Sequence, residues 1–270
     1  MTLPTTERRV QRVRHPLKFR LVRVLRVNDI APRIRRITFT GDDLADFVSA
    51  SFDDHVKLFF PLPGQSRPAL PTATPDGIVF ADDVPRPPAR DYTPQRVDTR
   101  ARELDIDFVL HGEGPATTWA AQAEVGQYLG VGGPRGSFII PADYPWHLLI
   151  GDETALPAIG RRLRELPAET RAIAVVAIDD VHDEIALDSP ARTAVHWVHR
   201  QGSQARSLDD AIAALSLPPG AGYVWIAAEA AQAKALRALV VERFGVDKAN
   251  LRASAYWKQG ASNVHETLEG

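Results

Sequence analysis

The segment Arg90-Asp91-Tyr92-Thr93 sets a cation, an aromatic ring and a hydroxyl within four residues. On an extended strand Arg90 and Tyr92 point to the same side. A guanidinium forks onto a phosphate, a phenol ring stacks on a flat heterocycle, and Thr93 offers a hydroxyl and a backbone amide to a ring edge. A core aromatic beside a surface charge is the alternative reading. Further on, Leu110 to Trp119 reads LHGEGPATTW. There a strand should end, a glycine turn follow, and a short helix begin near Pro115. Turn amides and a helix N-terminus favour phosphate, and Thr117 and Thr118 add hydroxyls. A plain strand-to-helix turn explains the same residues.

Two later segments occupy equivalent places. Gly151-Asp152-Glu153-Thr154-Ala155-Leu156-Pro157 ends a strand and opens a helix, and Ala227-Ala228-Glu229-Ala230 does so again. In open parallel sheets, ligands bind outside the carboxyl ends of strands, although Asp152 or Thr154 would equally cap a helix. Gly130 to Gly136 (GVGGPRG) is no dinucleotide fingerprint: Pro134 interrupts it, and a β run follows where a helix is required. It reads as a glycine-rich turn presenting Arg135. His196 and His199, three apart on a strand, face opposite ways and suggest no metal site. No GxSxG elbow is present. The chain has no cysteine, which removes disulfides, thiol redox chemistry and thiolate-held clusters. Any redox chemistry must therefore use another bound cofactor.

Two grammars position these segments. Up to about Ala142 the chain reads as short strands: Phe19 to Val27, Arg33 to Thr40, Val56 to Phe60, Leu104 to Leu110, Gln127 to Val131 and Ser137 to Ile140. Such a run, punctuated by Pro, Gly and Asp, indicates an antiparallel barrel or sandwich. Pro61 to Pro88 reads as loops around one short strand, Gly77 to Phe80. After Pro145 the pattern alternates: strands at His147 to Gly151, Arg171 to Ile178, Val195 to Val198, Tyr223 to Ala228 and Leu251 to Tyr256, with helices at Leu156 to Leu166, Leu208 to Leu215 and Ala230 to Phe244. That alternation implies a parallel α/β sheet. The expected fold is β followed by α/β, with domains at 1–144 and 145–270. One well-known arrangement of a small barrel before a parallel α/β domain is the ferredoxin-reductase type, with flavin on the barrel and nicotinamide nucleotide on the sheet, but fold alone does not give function.

The 270 residues carry a net charge of −2, which gives no global attraction to nucleic acid. Arg8 to Arg20 holds six Arg or Lys among thirteen residues and reads as a solvated arm, with a polyanion contact as the alternative. The longest apolar runs fall short of the ~20 residues of a membrane span, and no apolar signal core opens the chain. A cytoplasmic location without stable membrane insertion is the expectation.

Seven segments in order resemble the siderophore-interacting protein family: HVKLFFP (55–61), RDYTPQR (90–96), DFVLHGEGPATTWA (107–120), VGGPRGSF (131–138), GDETALPAI (151–159), VWIAAEA (224–230) and AYWKQGASNVHE (255–266). The resemblance implies a Greek-key FAD-binding barrel and a nucleotide-binding-like α/β domain. It implies FAD held by Arg90 at the pyrophosphate, Tyr92 on the isoalloxazine and Thr93 near its reactive edge. His111, Gly112, Gly114, Pro115, Ala116, Thr117 and Thr118 would form the second FAD segment, with Trp119 beside the nucleotide. Gly151, Asp152, Glu153, Thr154, Ala228 and Glu229 would border a nicotinamide nucleotide, and Trp257 would shield the flavin. Lys57, Arg135 and Lys258 resemble the basic positions that meet a ferric siderophore. The implied activity is flavin-dependent ferric-siderophore reduction, with no catalytic acid or base. The strand end often Ala-Gly-Glu in the family is Ala227-Ala228-Glu229 here, and its extra methyl could crowd a nucleotide. The electron donor stays open between NADH, NADPH and a ferredoxin-type protein. A non-enzymatic siderophore or nucleotide binding module, or a flavin reductase with another acceptor, is the alternative.

Overall fold

The computed structural model describes residues 10–75, 77–110, 112, 114–203, 205–260 and 266–267. The first half comprises β1 (Gln11–Arg14), β2 (Phe19–Ala31), β3 (Ile34–Thr40), β4 (Val56–Phe59), β5 (Thr72–Thr74), β6 (Gly77–Val79), β7 (Ala89–Tyr92), β8 (Arg96–Asp98), β9 (Glu103–Val109), α1 (Pro115–Ala121), β10 (Tyr128–Gly132) and β11 (Gly136–Ile139). Seven strands form one antiparallel sheet in the order β7-β4-β10-β2-β3-β9-β8. The edge strands β7 and β8 are joined by residues 93–95 alone, so the sheet curls until its edges approach. Its interior holds Val22, Val24, Ile37, Phe39, Leu58, Leu104, Ile106, Phe108, Leu129 and Val131, all buried.

In β9, Leu104, Ile106 and Phe108 line the core as the alternation predicts. Asp105 and Asp107 are buried on its other face, paired with Arg96 at 2.6 Å and Arg36 at 2.7 Å. Within the basic arm, the described residues 11–14 stay solvent-exposed, as expected, but form a strand of their own. Residues 11–14 pair antiparallel with β11 and lie exposed on its edge, a placement that backbone hydrogen bonds provide without any apolar pattern. Gly130 and Gly132 are glycines for packing: a Cβ would lie 2.2 Å from Leu70 at the first and 2.8 Å from Phe19 at the second.

The second half comprises β12 (Trp146–Asp152), α2 (Leu156–Glu165), β13 (Arg171–Ile178), β14 (Arg192–His199), α3 (Leu208–Ala213), β15 (Gly222–Glu229), α4 (Ala230–Phe244), β16 (Leu251–Trp257) and β17 (Glu266–Thr267). The order is β14-β13-β12-β15-β16-β17, parallel except for β17. The strand order reverses between β12 and β15, where such folds open a crevice. Residues such as those of β13 (RAIAVVAI) divide between a core beneath α2 and a second beneath α3 and α4. This two-face burial is why the strand reads as a continuous apolar run.

The two halves are joined by arginines of α2. Arg161 donates to Ser49 Oγ at 2.7 Å, to the Ser49 carbonyl at 3.0 Å and to the Pro94 carbonyl at 3.0 Å. Arg164 donates to the Gln95 carbonyl at 2.9 Å, and Arg162 to the carbonyls of Ile140 and Pro141 at 3.1 and 2.7 Å. Phe52 packs edge-on to Trp225 at 5.4 Å. Arg33 of the barrel pairs with Asp179, Asp180 and Asp183 after β13. Among the described residues, no helix is long and apolar enough to cross a membrane.

Candidate functional site

β7 aligns with β4 so that Lys57 lies opposite Asp91 and Leu58 opposite Arg90. The Lys57 ammonium stands 2.8 Å from the Asp91 carboxylate. One of the three expected substrate cations thus has a counter-charge inside the Arg-Asp-Tyr-Thr segment itself. Arg90 donates to the carbonyl of its neighbour Ala89 at 2.7 Å. The Tyr92 ring packs on Phe108, 4.6 Å between centroids, and burial raises its phenol well above the usual range, so it stays neutral. Thr93 is 7% exposed.

α1 begins as the sequence leads one to expect, with Pro115 in its first turn. Gly114 is the N-cap, and no side chain caps the helix. Gly112 has φ +61, and a Cβ on Gly112 or Gly114 would meet nothing within 4 Å. Ala116 is buried, Thr117 half-buried and Thr118 exposed. His111 lies outside the described residues. Trp119 stacks on Phe39 at 6.2 Å and lies 5.8 Å from Phe60 and 6.0 Å from Phe108. Phe108 therefore touches both Tyr92 and Trp119, and ties β7 to α1 through one aromatic column.

The donor set here suits a flavin nucleotide. Arg90 has further N–H groups beyond the one given to Ala89. The turn before α1 has open space and a glycine cap, and an aromatic ring stands beside them. Each is what a phosphate-bearing heterocycle requires.

The carboxyl end of the parallel sheet is built otherwise. At Gly151 a Cβ would lie 2.4 Å from the Ala155 methyl and 2.6 Å from the Ala227 carbonyl, so this glycine closes strand against strand. Asp152, 1% exposed, accepts from the Thr154 amide at 2.9 Å and the Trp257 indole at 2.8 Å. Burial raises its carboxyl above the ordinary range. Glu153 pairs with Arg200 at 2.5 Å. Glu229 caps α4, accepting from the amides of Ala231 and Gln232 at 2.6 and 3.3 Å. The Ala228 methyl is buried in the core beneath α3 and α4, so it does not crowd the crevice. Between the halves, Arg33, Ile34, Val109, Glu153, Ile178, Asp179 and Asp183 line a space of about 20 Å³, room for about one water molecule.

Of the three cations, Lys57 and Arg135 belong to one corner. Gly132 lies opposite Lys57, and Arg135, itself exposed, follows in the turn after β10. Lys258 belongs to the other sheet, exposed after β16 beside Glu229. Sequence reasoning missed Asp53, Arg252 and Tyr256. Arg252 donates to Asp53 at 2.6 Å and Tyr256 at 3.0 Å. The one available signal was spacing, because residues four apart on a strand share a face.

Comparisons with known proteins agree with this architecture. Residues 23–138 match the model of the siderophore-interacting FAD-binding domain, and residues 144–260 that of the siderophore-interacting protein. The NADPH-dependent ferric-chelate reductase of Escherichia coli K12 is 40% identical over 253 residues, covering 93% of this chain and 98% of the relative. The ferric vibriobactin reductase ViuB of Vibrio cholerae is 33% identical, covering 89% of this chain and 90% of the relative. The crystal structure of a siderophore utilization protein from T. fusca superposes with a TM-score of 0.85 at 39% identity, covering 96% of this chain and 98% of that one. Barrel, parallel sheet and motif order thus converge: this chain belongs to the siderophore-interacting protein family, with the FAD-binding domain first and the family's second domain after it.

Proposed function

We propose that this protein is an FAD-dependent ferric-siderophore reductase that takes electrons from a nicotinamide nucleotide. The observation that carries the reading is the aromatic column Tyr92, Phe108 and Trp119 beside the glycine-capped turn of α1, with Arg90 on the same strand as Tyr92, in a chain of this family. FAD, when bound, accepts an electron pair and releases electrons singly. The division of labour falls at residues 144 and 145: residues 1–144 hold FAD, and residues 145–270 face the donor.

The chain's own residues bind and orient. Arg90 is assigned to the FAD pyrophosphate, with the amides of Gly112, Gly114, Ala116 and Thr117 and the hydroxyls of Thr117 and Thr118. Tyr92 and Thr93 are assigned to the ring system. The indole of Trp257, tethered to Asp152, covers the site from the α/β side. No side chain need exchange a proton with the substrate. Siderophore oxygens are hard donors that prefer Fe(III), so adding one electron loosens the chelate and frees Fe(II). Lys57, Arg135 and Lys258 are assigned to an anionic ferric chelate, with Lys57 moderated by Asp91. The name of the E. coli relative supports NADPH as the donor.

The test is optical. Purified protein should show a flavin spectrum, bleach with NADPH, and yield Fe(II) to a ferrous trap when a ferric siderophore is added. Bleaching by NADH alone would change the donor, and bleaching by reduced ferredoxin alone would move it to a protein. A protein that FAD cannot reconstitute would sink the reading and leave a binding module.

A further inference from the structure

β7 presents two faces. Arg90 and Tyr92 lie opposite Leu58 and Val56, which are buried in the barrel core. Asp91 stands between them on the strand, so its side chain leaves by the other face, opposite Lys57. There its Oδ1 is 2.8 Å from the Lys57 ammonium, yet it accepts no hydrogen bond from the described residues. The pair is Coulombic, with no directed bond to lock it. The acid is the more buried partner, its side chain 18% exposed against 40% for Lys57. The neighbouring turn is balanced in the same way. Lys18 pairs with Asp46 at 2.9 Å and with Asp43 at 3.6 Å, and Arg20 pairs with Asp46 at 3.1 Å. Gly133 ties both to this corner: its amide donates to the Lys18 carbonyl at 3.0 Å, and its carbonyl accepts from Arg20 at 3.2 Å. Of these four cations Arg135, exposed two residues after Gly133, alone pairs with no acid among the described residues.

We propose that Asp91 is a specificity-determining residue: by cancelling Lys57 it leaves this barrel corner close to a single positive charge, and so turns the protein toward ferric chelates of low negative charge, such as tris-hydroxamates, and away from trianionic tris-catecholates. The proposal rests on the reading of Lys57 and Arg135 as the cations that meet the chelate. Coulomb attraction scales with the product of the charges. A further positive charge is worth nothing to a neutral complex and most to a trianion. Cancelling one cation therefore changes the ranking of chelates, not only the strength with which they are held. Arg90 and Tyr92 stay out of this balance, because they leave the strand on the other side. One four-residue segment thus offers one face to the flavin nucleotide and sets, with the other, the charge that the substrate meets.

The experiment measures dissociation constants of the FAD-loaded protein for the Ga(III) complexes of a tris-catecholate and a tris-hydroxamate, by fluorescence quenching at low salt. Ga(III) has the charge of Fe(III) and is not reduced, so binding is read apart from turnover. Asp91→Asn should tighten the trianion about tenfold, the size of three unit attractions across about 10 Å of water-like dielectric. The neutral complex should stay within a factor of about two of its wild-type constant. Asp91→Glu keeps the charge and should keep the wild-type ratio of the two constants. Asp91→Ser should repeat the asparagine result, and replaces it if the amide disturbs folding. Lys57→Gln added to Asp91→Asn should bring the ratio back. A ratio that neither Asp91→Asn nor Asp91→Ser moves overturns the role of Asp91, and so does a gain that persists unscreened at about 1 M salt. If Lys57→Gln and Arg135→Gln, each alone, also leave both constants at wild-type values, chelates bind elsewhere, and the substrate corner falls with the proposal.

Discussion

At the barrel edge, Arg90 donates to the carbonyl beside it, and α1 starts from a glycine with no side chain to fill the cap. At the carboxyl end of the parallel sheet, Asp152 is wrapped by an amide and an indole, Glu153 is paired with Arg200, and Glu229 caps α4. Both regions occupy places where nucleotides bind in folds of this kind, yet one holds donors in reserve and the other has its acids committed. Conspicuous polar residues at a strand end therefore mean different things. Where their hydrogen bonds are closed within the fold they are structural, and a ligand must rely on backbone and shape. Where they remain open, the side chains themselves can select the ligand.

Four measurements break or sharpen that contrast. Phe108→Ala removes the ring that joins Tyr92 to Trp119 and should cost about 3–5 kcal/mol in urea unfolding, with loss of bound FAD. A variant that unfolds like the wild type would show that the aromatic column is not what holds the barrel edge. The parallel-sheet half should dominate acid sensitivity. Burial lowers the His147 imidazole to about 3, so the folded state binds its proton later than the unfolded chain does. Its contribution is intact above pH 6.5 and is lost as pH falls toward 3, about 3 kcal/mol between pH 7 and 4. His147→Leu should flatten that slope, and an equally steep slope in the variant would assign the loss elsewhere. Arg90→Ala should weaken FAD binding by roughly 10- to 100-fold, the range of a charge-assisted bond worth about 1.5–3 kcal/mol, without altering the unfolding midpoint of the apoprotein. Fluorescence titration reads it. Glu229→Ala should behave in the opposite way, costing about 1 kcal/mol of stability as a lost N-cap with FAD affinity unchanged.

The sequence announced what depends on local pattern. The alternation of β9, the continuous apolar run of β13, and α4 with Gly245 after it are written in side-chain periodicity and a left-handed cap. It concealed what depends on distant partners. β8 has no apolar pattern, and its Arg96 is held by Glu103 and Asp105 on β9. β1 is a charged tetrapeptide that pairs only because β11 offers an edge. The Arg-Asp-Tyr-Thr segment was legible because it is contiguous. The meeting of Asp53 with Arg252 was not, since 199 residues separate them. Nor does local pattern show that the guanidinium groups of Arg96 and Arg36 cover Asp105 and Asp107 on the other face of β9.

The joint made by α2 has a consequence for exchanging parts between relatives. Arg161, Arg162 and Arg164 reach across mainly to main-chain carbonyls, those of Ser49, Pro94, Gln95, Ile140 and Pro141. A carbonyl is supplied by any residue type, so the barrel loops are free to drift in sequence while their backbone path is kept. The helix has no such freedom, because only an arginine side chain delivers those forked donors at that reach. A chimaera that keeps this α/β half should accept a foreign barrel of the same backbone, whereas the reverse graft should fail to seal unless the incoming helix brings the three arginines with it.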